Sequence, residues 1–417
     1  MILLLGAATA FVVMILLIKK RVPLGLSLLA GGATVGLFGF RSLQPWLDSA
    51  WFALFSRSSL ELAAIIVLIN LLGCAMGAYG SLDRLNVIMG RLFPDQRYLL
   101  AFFPATIGML NVPGGAILSA PLVDKAGTDI GLSPEQKTAA NLLYRHFWFL
   151  VYPFYTSMII INRLSGADIL GLIKLGVAPT IVGFLASWKF CFRGWRQDPG
   201  RQKSNSRLKD LGGLVYHLSP ILAALIAGLV FKINFIPALI IGVIWVEIIH
   251  RTPAGPDEPM FSRLIKKSRH FLKDILMPSL KWQLMIIPFG INFFRSTLTA
   301  TGAAKTLADL LMNLNIPVEA LVFIIPLLIS ITTGLHLASV TISVPLFLPL
   351  LGGQALVPAM FLLLTAASVG YWMSPLHLCL ILTQEYMKSN YAGTVRIMFW
   401  PTLFTALAGV GVYLLAR

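Results

Sequence analysis

The residues with most chemical reach in this sequence lie inside long apolar runs. Arg145 and His146 stand one to two turns before Pro153. A charge within an apolar run is costly and faces a cavity or a partner. The forked donors of Arg145 suit a carboxylate; the alternatives are a structural ion pair or a side chain reaching to the interface. His336 and His377 lie beside Gly334 and Pro375. Imidazole changes charge near neutral pH, so each is a candidate proton carrier, or else a hydrogen-bonded fixture. Thr332, Thr333, Ser339, Thr341 and Ser374 offer hydroxyls to a ligand, unless they bond their own backbone. Gly114 and Gly115, after Asn111 and Pro113, let backbone approach a ligand closely. The expected binding set is Asn111, Pro113, Gly114, Gly115, Arg145, His146, Tyr152, Pro153, Thr332, Thr333, Gly334, His336, Ser339, Ser374, Pro375 and His377. Asn111, Thr332, Thr333 and Ser374 are the candidate ligands for a coupling ion. Arg295 also sits within an apolar run, with Glu61 and Glu385 as candidate partners. No phosphate-binding loop, metal-spaced Cys/His cluster or nucleophile elbow is present, so the chain reads as a non-enzyme without an organic cofactor.

The elements that hold these residues follow from hydropathy. The chain has 417 residues, 57% hydrophobic and 12% charged, against about 25% charged in soluble domains. Apolar runs of about 20 residues recur throughout, each long enough to cross a bilayer. They lack the alternation of barrel strands, so the chain is an all-α polytopic membrane protein. Crossings are expected near 2–18, 23–40, 60–79, 136–163, 168–188, 214–231, 235–250, 282–300, 355–387 and 391–415. The runs 98–122 and 319–350 are too rich in Pro and Gly for a straight crossing. They are expected as re-entrant hairpins buried in protein. The runs 136–163 and 355–387 carry Pro153 and Pro375 near their middles and are expected as discontinuous helices.

The net charge is +16, and topology accounts for it without nucleic acid. With the N-terminus outside, 24 of the 33 basic residues fall in cytoplasmic segments and 7 outside, the bias that sets orientation. The stretch from Met1 to Ile18 is apolar, and Lys19, Lys20 and Arg21 follow it. That order is expected for a retained first helix. Both termini are then outside a cell (inner or plasma) membrane. Cys74, Cys191 and Cys379 imply no disulfide framework.

The halves repeat. Asn70 and Asn292, Gly80 and Gly302, Pro104 and Pro326, Pro153 and Pro375, Gly171 and Gly393, and Pro179 and Pro401 are all separated by one constant interval along the chain. The expected organisation is a first inverted repeat over 1–188, a basic cytoplasmic linker over 189–212 and a second inverted repeat over 213–417. Each repeat holds five crossings, one hairpin and one discontinuous helix. Segments 81–93 and 303–314 read as interfacial helices or as loops with a helical turn. Residues 259–276 read as a basic amphipathic stretch on the inner surface.

A resemblance rests on NVPGGAILSAP at 111–121, LSPEQKT at 132–138, YRHFW at 144–148, and Tyr152-Pro153. On these motifs and its layout the chain resembles the ion transporter superfamily, which includes divalent anion/sodium symporters and citrate and arsenite carriers. More narrowly it resembles an uncharacterised microbial permease family of that group. The resemblance implies a secondary active carrier of a small, anionic, carboxylate-like solute, coupled to H+ or Na+, and a homodimer in membrane lipid. Sodium-dependent members carry Ser-Asn-Thr at the hairpin tips. Here Asn111-Val112-Pro113 and Thr332-Thr333-Gly334 stand there, which leans toward protons. The alternative expectation is a passive channel or a non-transporting membrane subunit.

Overall fold

The structure is a computed structural model that describes residues 2–20, 22–92, 95–109, 116–196, 207–231, 233–250, 268–303, 306, 317–351 and 355–417. The expected tip residues Asn111, Pro113, Gly114 and Gly115 lie outside them, as do 259–267 and most of 303–314. Every regular element among the described residues is helical. The first half contains α1 (Ile2–Lys19), α2 (Leu24–Gly39), α3 (Gln44–Phe55), α4 (Arg57–Ala78) and α5 (Ser81–Leu92). It continues with α6 (Gln96–Gly108), α7 (Ala116–Asp129), α8 (Pro134–His146), α9 (Thr156–Ser165) and α10 (Ile169–Cys191). The second half contains α11 (Arg207–Leu225), α12 (Phe235–Ile249), α13 (Ile287–Ala300) and α14 (Val318–Thr333). It ends with α15 (His336–Phe347), α16 (Leu356–Met373), α17 (Leu378–Met387) and α18 (Tyr391–Ala416). Helix α3 has no counterpart in the hydropathy reading. It is only 12 residues long, and Ser56 turns extended to separate it from α4.

Described helical stretches over Gln44–Ala78, Ile169–Cys191, Leu208–Gly228, Leu356–Met387 and Tyr391–Ala416 are long and apolar enough to cross a membrane. Helix α10 turns Leu170, Val177, Ile181 and Leu185 outward. Such apolar faces have no place in water on this scale, and the chain is a multi-pass membrane protein.

Local chemistry sets the helix limits, and it recurs at the interval seen in the sequence. Asp168 caps α10 by accepting from Gly171 N at 2.7 Å. Asn390, one such interval further on, caps α18 by accepting from Gly393 N at 2.7 Å. The two residues that end α9 and α17, Gly166 and Lys388, are both left-handed, with φ of 78° and 55°. They keep the same interval. Gly80 and Gly302, after α4 and α13, have φ of 65° and 73°. Pro104 lies inside α6 and Pro326 inside α14.

Packing is reciprocal between the halves. Helix α15 packs on α9, and α7 packs on α17. Likewise α2 packs along α13, and α12 along α4. Helices α6–α10 and α14–α18 form one bundle. Helices α1–α5 and α11–α13 pack mainly among themselves beside it. Within the bundle, Asn141 on α8 donates to the Ala116 carbonyl on α7 at 3.0 Å and to Thr383 on α17 at 3.3 Å. Between the groups, Glu61 on α4 accepts from Arg163 on α9 at 2.9 Å and from Arg57 at 2.6 Å. Glu61 is therefore not the partner of Arg295.

Gly334 shows what the α14–α15 turn demands. Its φ of 67° is left-handed, and an added Cβ would lie 2.4 Å from the Leu376 carbonyl oxygen. Both facts require glycine. Gly334→Ala is expected to lower the thermal unfolding temperature of the detergent-purified protein by several degrees, from a cost of about 1–3 kcal/mol for the strained backbone alone. An unchanged melting curve would show that the turn is not packed against the 374–377 segment.

Candidate solute site

Proline dictates the two helix breaks. It lacks an N–H and clashes with the preceding turn, and it pushes the residue before it toward extended backbone. Ser374, before Pro375, is extended at φ −72°, ψ 129°. Helix α16 therefore stops at Met373, and α17 starts after His377. In the first half α8 ends at His146, a short 3-10 turn covers Phe147–Leu150, and α9 starts after Tyr155.

The two breaks and the α14–α15 turn face one another. Ser374 Oγ donates to the Ile331 carbonyl at 2.7 Å, tying the second break to the turn. His336, at the start of α15, spans the gap to the first break. Its Nδ1 is 2.9 Å from Ser157 Oγ and 3.1 Å from Tyr155 OH. Its Nε2 is 3.0 Å from Ser368 Oγ on α16. Ser368 gives its own proton to the Leu364 carbonyl, so Nε2 is the donor to Ser368 and the single lone pair of Nδ1 accepts from the Ser157 or the Tyr155 hydroxyl.

Aromatic rings wall this junction. Phe149 stacks on Tyr155 with centroids 3.9 Å apart, and Tyr371 lies 3.8 Å from His377. His146 meets His377 edge-on at 4.8 Å. Between the breaks lies a cavity of about 220 Å³. Its lining includes Asn70, Arg145, His146, Tyr155, Thr156, Ser157, Gly334, Tyr371 and Cys379. No Asp or Glu lines it among the described residues.

Three helices begin at the cavity. Tyr155, Leu335 and His377 are the N-caps of α9, α15 and α17, and none uses its side chain as a cap. The first N–H groups of a helix lack intrahelical partners, and this end carries the positive pole of the helix dipole. Arg145 lies in the last turn of α8, nearly fully buried. Gly108 on α6 lets that turn approach, since a Cβ there would lie 2.3 Å from the Arg145 carbonyl oxygen.

Of the residues expected from the sequence, Arg145, His146 and Gly334 line the cavity. His336 and His377 contact lining residues from behind. Ser374, Pro153 and Pro375 form the breaks. Ser339 instead donates across the hairpin to the Pro326 carbonyl at 2.6 Å. Thr333 bonds the Ile329 carbonyl of its own helix, and Thr341 that of Ala338. Thr332 bonds Leu328 and faces a separate apolar cavity against α1. Tyr152 lines another small pocket, with Met109 and Phe154. Tyr155, Ser157, Tyr371, Ser368 and Cys379 join the site without being expected from the sequence. Tyr155, Ser157 and Cys379 stand within a helical turn or so of a break proline, a usable signal. Tyr371, four residues before Pro375, carries the same signal, whereas Ser368 lies further back on a helix that is apolar on every side. The structure also brings together a Cys/His group that no spacing along the sequence marks. His146, His377 and Cys379 come together, although the first lies in the opposite half of the chain from the other two.

No curated protein matches the sequence. Among solved structures, the crystal structure of the Alcanivorax borkumensis YdaH transporter aligns over 96% of this chain and 98% of its own, with a TM-score of 0.65 and 16% identity. At that identity the likeness establishes the shared fold. The family described as "Protein of unknown function (DUF401)" matches residues 3–416. The chain, covered almost end to end, belongs to the DUF401 family.

Proposed function

We propose that the chain is a secondary active carrier that moves a small anion, best matched by a small carboxylate, by alternating access between two inverted repeats. The observation that carries this reading is the set of three helix N-termini meeting Arg145 at one cavity without a lining carboxylate among the described residues. Each N-terminus favours an anion by about 0.3–1 kcal/mol, and by ~2 when partly buried. A charge-assisted bond to Arg145 adds about 1.5–3 kcal/mol. The cavity of about 220 Å³ equals roughly seven waters at about 30 Å³ each, a volume suited to a small solute. The fold shared with a transporter agrees with this assignment.

The recurrence of caps, left-handed residues and helix prolines at one interval supports repeats over 1–188 and 213–417, joined by the linker 189–212. With five crossings in each, the second copy is inverted. The hairpins α6–α7 and α14–α15 then enter from the cytoplasm and from outside, and both termini lie outside. Inverted repeats with broken helices are a known transporter plan. The bundle α6–α10 with α14–α18 is the moving part in this reading, and the remaining helices are the frame. An apolar cavity of about 520 Å³ between α1 and the α14–α15 hairpin marks a loosely packed seam between them.

Protons are the proposed coupling ion. The hydroxyls around His336 act as donor or acceptor by rotating, so the network holds either a neutral or a charged ring. Thr332, a candidate coupling-ion ligand, faces the separate apolar cavity against α1 and not this junction.

Two measurements test these points. Binding of the transported carboxylate to Arg145→Gln in nanodiscs is expected to weaken roughly tenfold or more, each ~1.4 kcal/mol being tenfold. Unchanged affinity would remove Arg145 from the site. In proteoliposomes, an imposed pH gradient is expected to drive accumulation at clamped sodium, and His336→Asn is expected to abolish that accumulation while keeping solute exchange. Accumulation that follows sodium and ignores pH would overturn proton coupling.

A further inference from the structure

Where the two helix breaks meet, His146, His377 and Cys379 are all buried, and one ligand atom of each lies within 4.8 Å of the others. His146 Nδ1 donates to the Leu142 carbonyl at 2.6 Å. The proton therefore sits on Nδ1, and Nε2 keeps its lone pair. Metal-bound imidazoles are oriented by this kind of carbonyl bond to the second nitrogen. His377 is fully buried, and neither of its ring nitrogens has a hydrogen-bond partner. Buried imidazoles are normally satisfied; a bound cation would satisfy this one. Tyr371, with its centroid 3.8 Å away, fixes the plane of the His377 ring. Cys379 is the second residue of α17, and it lines the same cavity as Arg145. Cysteine ligates metal through its thiolate sulfur.

We propose that His146, His377 and Cys379 form a binding site for a soft monovalent metal cation of the Cu(I) or Ag(I) class. Two neutral imidazoles and a thiolate are a soft donor set, which selects such ions over magnesium, calcium or manganese. Charge then separates the soft candidates. A monovalent ion with the Cys379 thiolate is neutral beside Arg145. A divalent ion leaves a net positive charge against the guanidinium in a water-poor site, where like charges repel strongly. Binding releases the thiol proton to solvent. Metal–nitrogen and metal–sulfur bonds of about 2.0–2.3 Å require the donor atoms to draw together by roughly 1 Å. The site borders the solute cavity, and it stands or falls independently of the anion reading because its readout needs no transport.

The test is an anaerobic titration of purified protein in detergent against the coloured Cu(I)–bicinchoninate complex. Wild-type protein is expected to withdraw one Cu(I) per chain, and Ag(I) to displace it. Cys74→Ala and Cys191→Ala are expected to behave as wild type. Cys379→Ser and His377→Gln are each expected to weaken binding at least tenfold. Thermal unfolding of both variants in the absence of metal reports on their folding. The proposal is overturned if wild-type protein withdraws no Cu(I), or if either folded variant withdraws it as wild type does.

Discussion

The structure turns on one constraint: in hydrocarbon, every backbone N–H and C=O must find a partner within the protein. A helix that breaks in the membrane exposes such groups, and the break survives only against other protein. This chain breaks at Pro153 and Pro375 and turns at Gly334. All three interruptions lie at one junction, where they satisfy one another. Ser374 bonds the Ile331 carbonyl. His336 joins the first break to α16 through Ser157, Tyr155 and Ser368. Elsewhere the described backbone is mostly regular helix.

Charge follows from the same constraint. Helices α9, α15 and α17 start at the junction with their positive ends toward it, α8, α14 and α16 end there with their negative ends, and Arg145 adds a full positive charge in the last turn of α8. The reciprocal packing, α15 on α9 and α7 on α17, makes each half supply the wall against which the other half's broken helix rests. Neither half forms the cavity alone. In the proposed reading, a solute held there is gripped by both.

Much of this is legible in the residues. Proline and glycine inside apolar runs mark the breaks and the α14–α15 turn because their backbone chemistry is local. Arg145, His146, His336 and His377 stand out because charge and imidazole are rare among apolar neighbours. Which side a helix presents is another matter. Where every face is apolar, polar periodicity cannot orient it, so nothing in the sequence singles out Ser368 on α16. For the same reason Thr332 reads as a site residue, although it faces α1. The His146–His377–Cys379 cluster joins distant segments, and local spacing carries no trace of it. Helix α3 escapes a hydropathy reading because it is too short to cross a bilayer.

The central claim is that two inverted copies build one cavity, and membrane sidedness tests it most directly. Ser165 ends α9, and Lys388, which follows α17, is the counterpart of the next residue, Gly166. Single cysteines at these positions, in a background lacking Cys74, can be labelled with a membrane-impermeant maleimide in right-side-out and inside-out vesicles. Inverted repeats predict that Ser165→Cys reacts only from outside and Lys388→Cys only from the cytoplasmic face. Labelling of both from the same side would contradict the inversion, and with it the account of how the cavity opens.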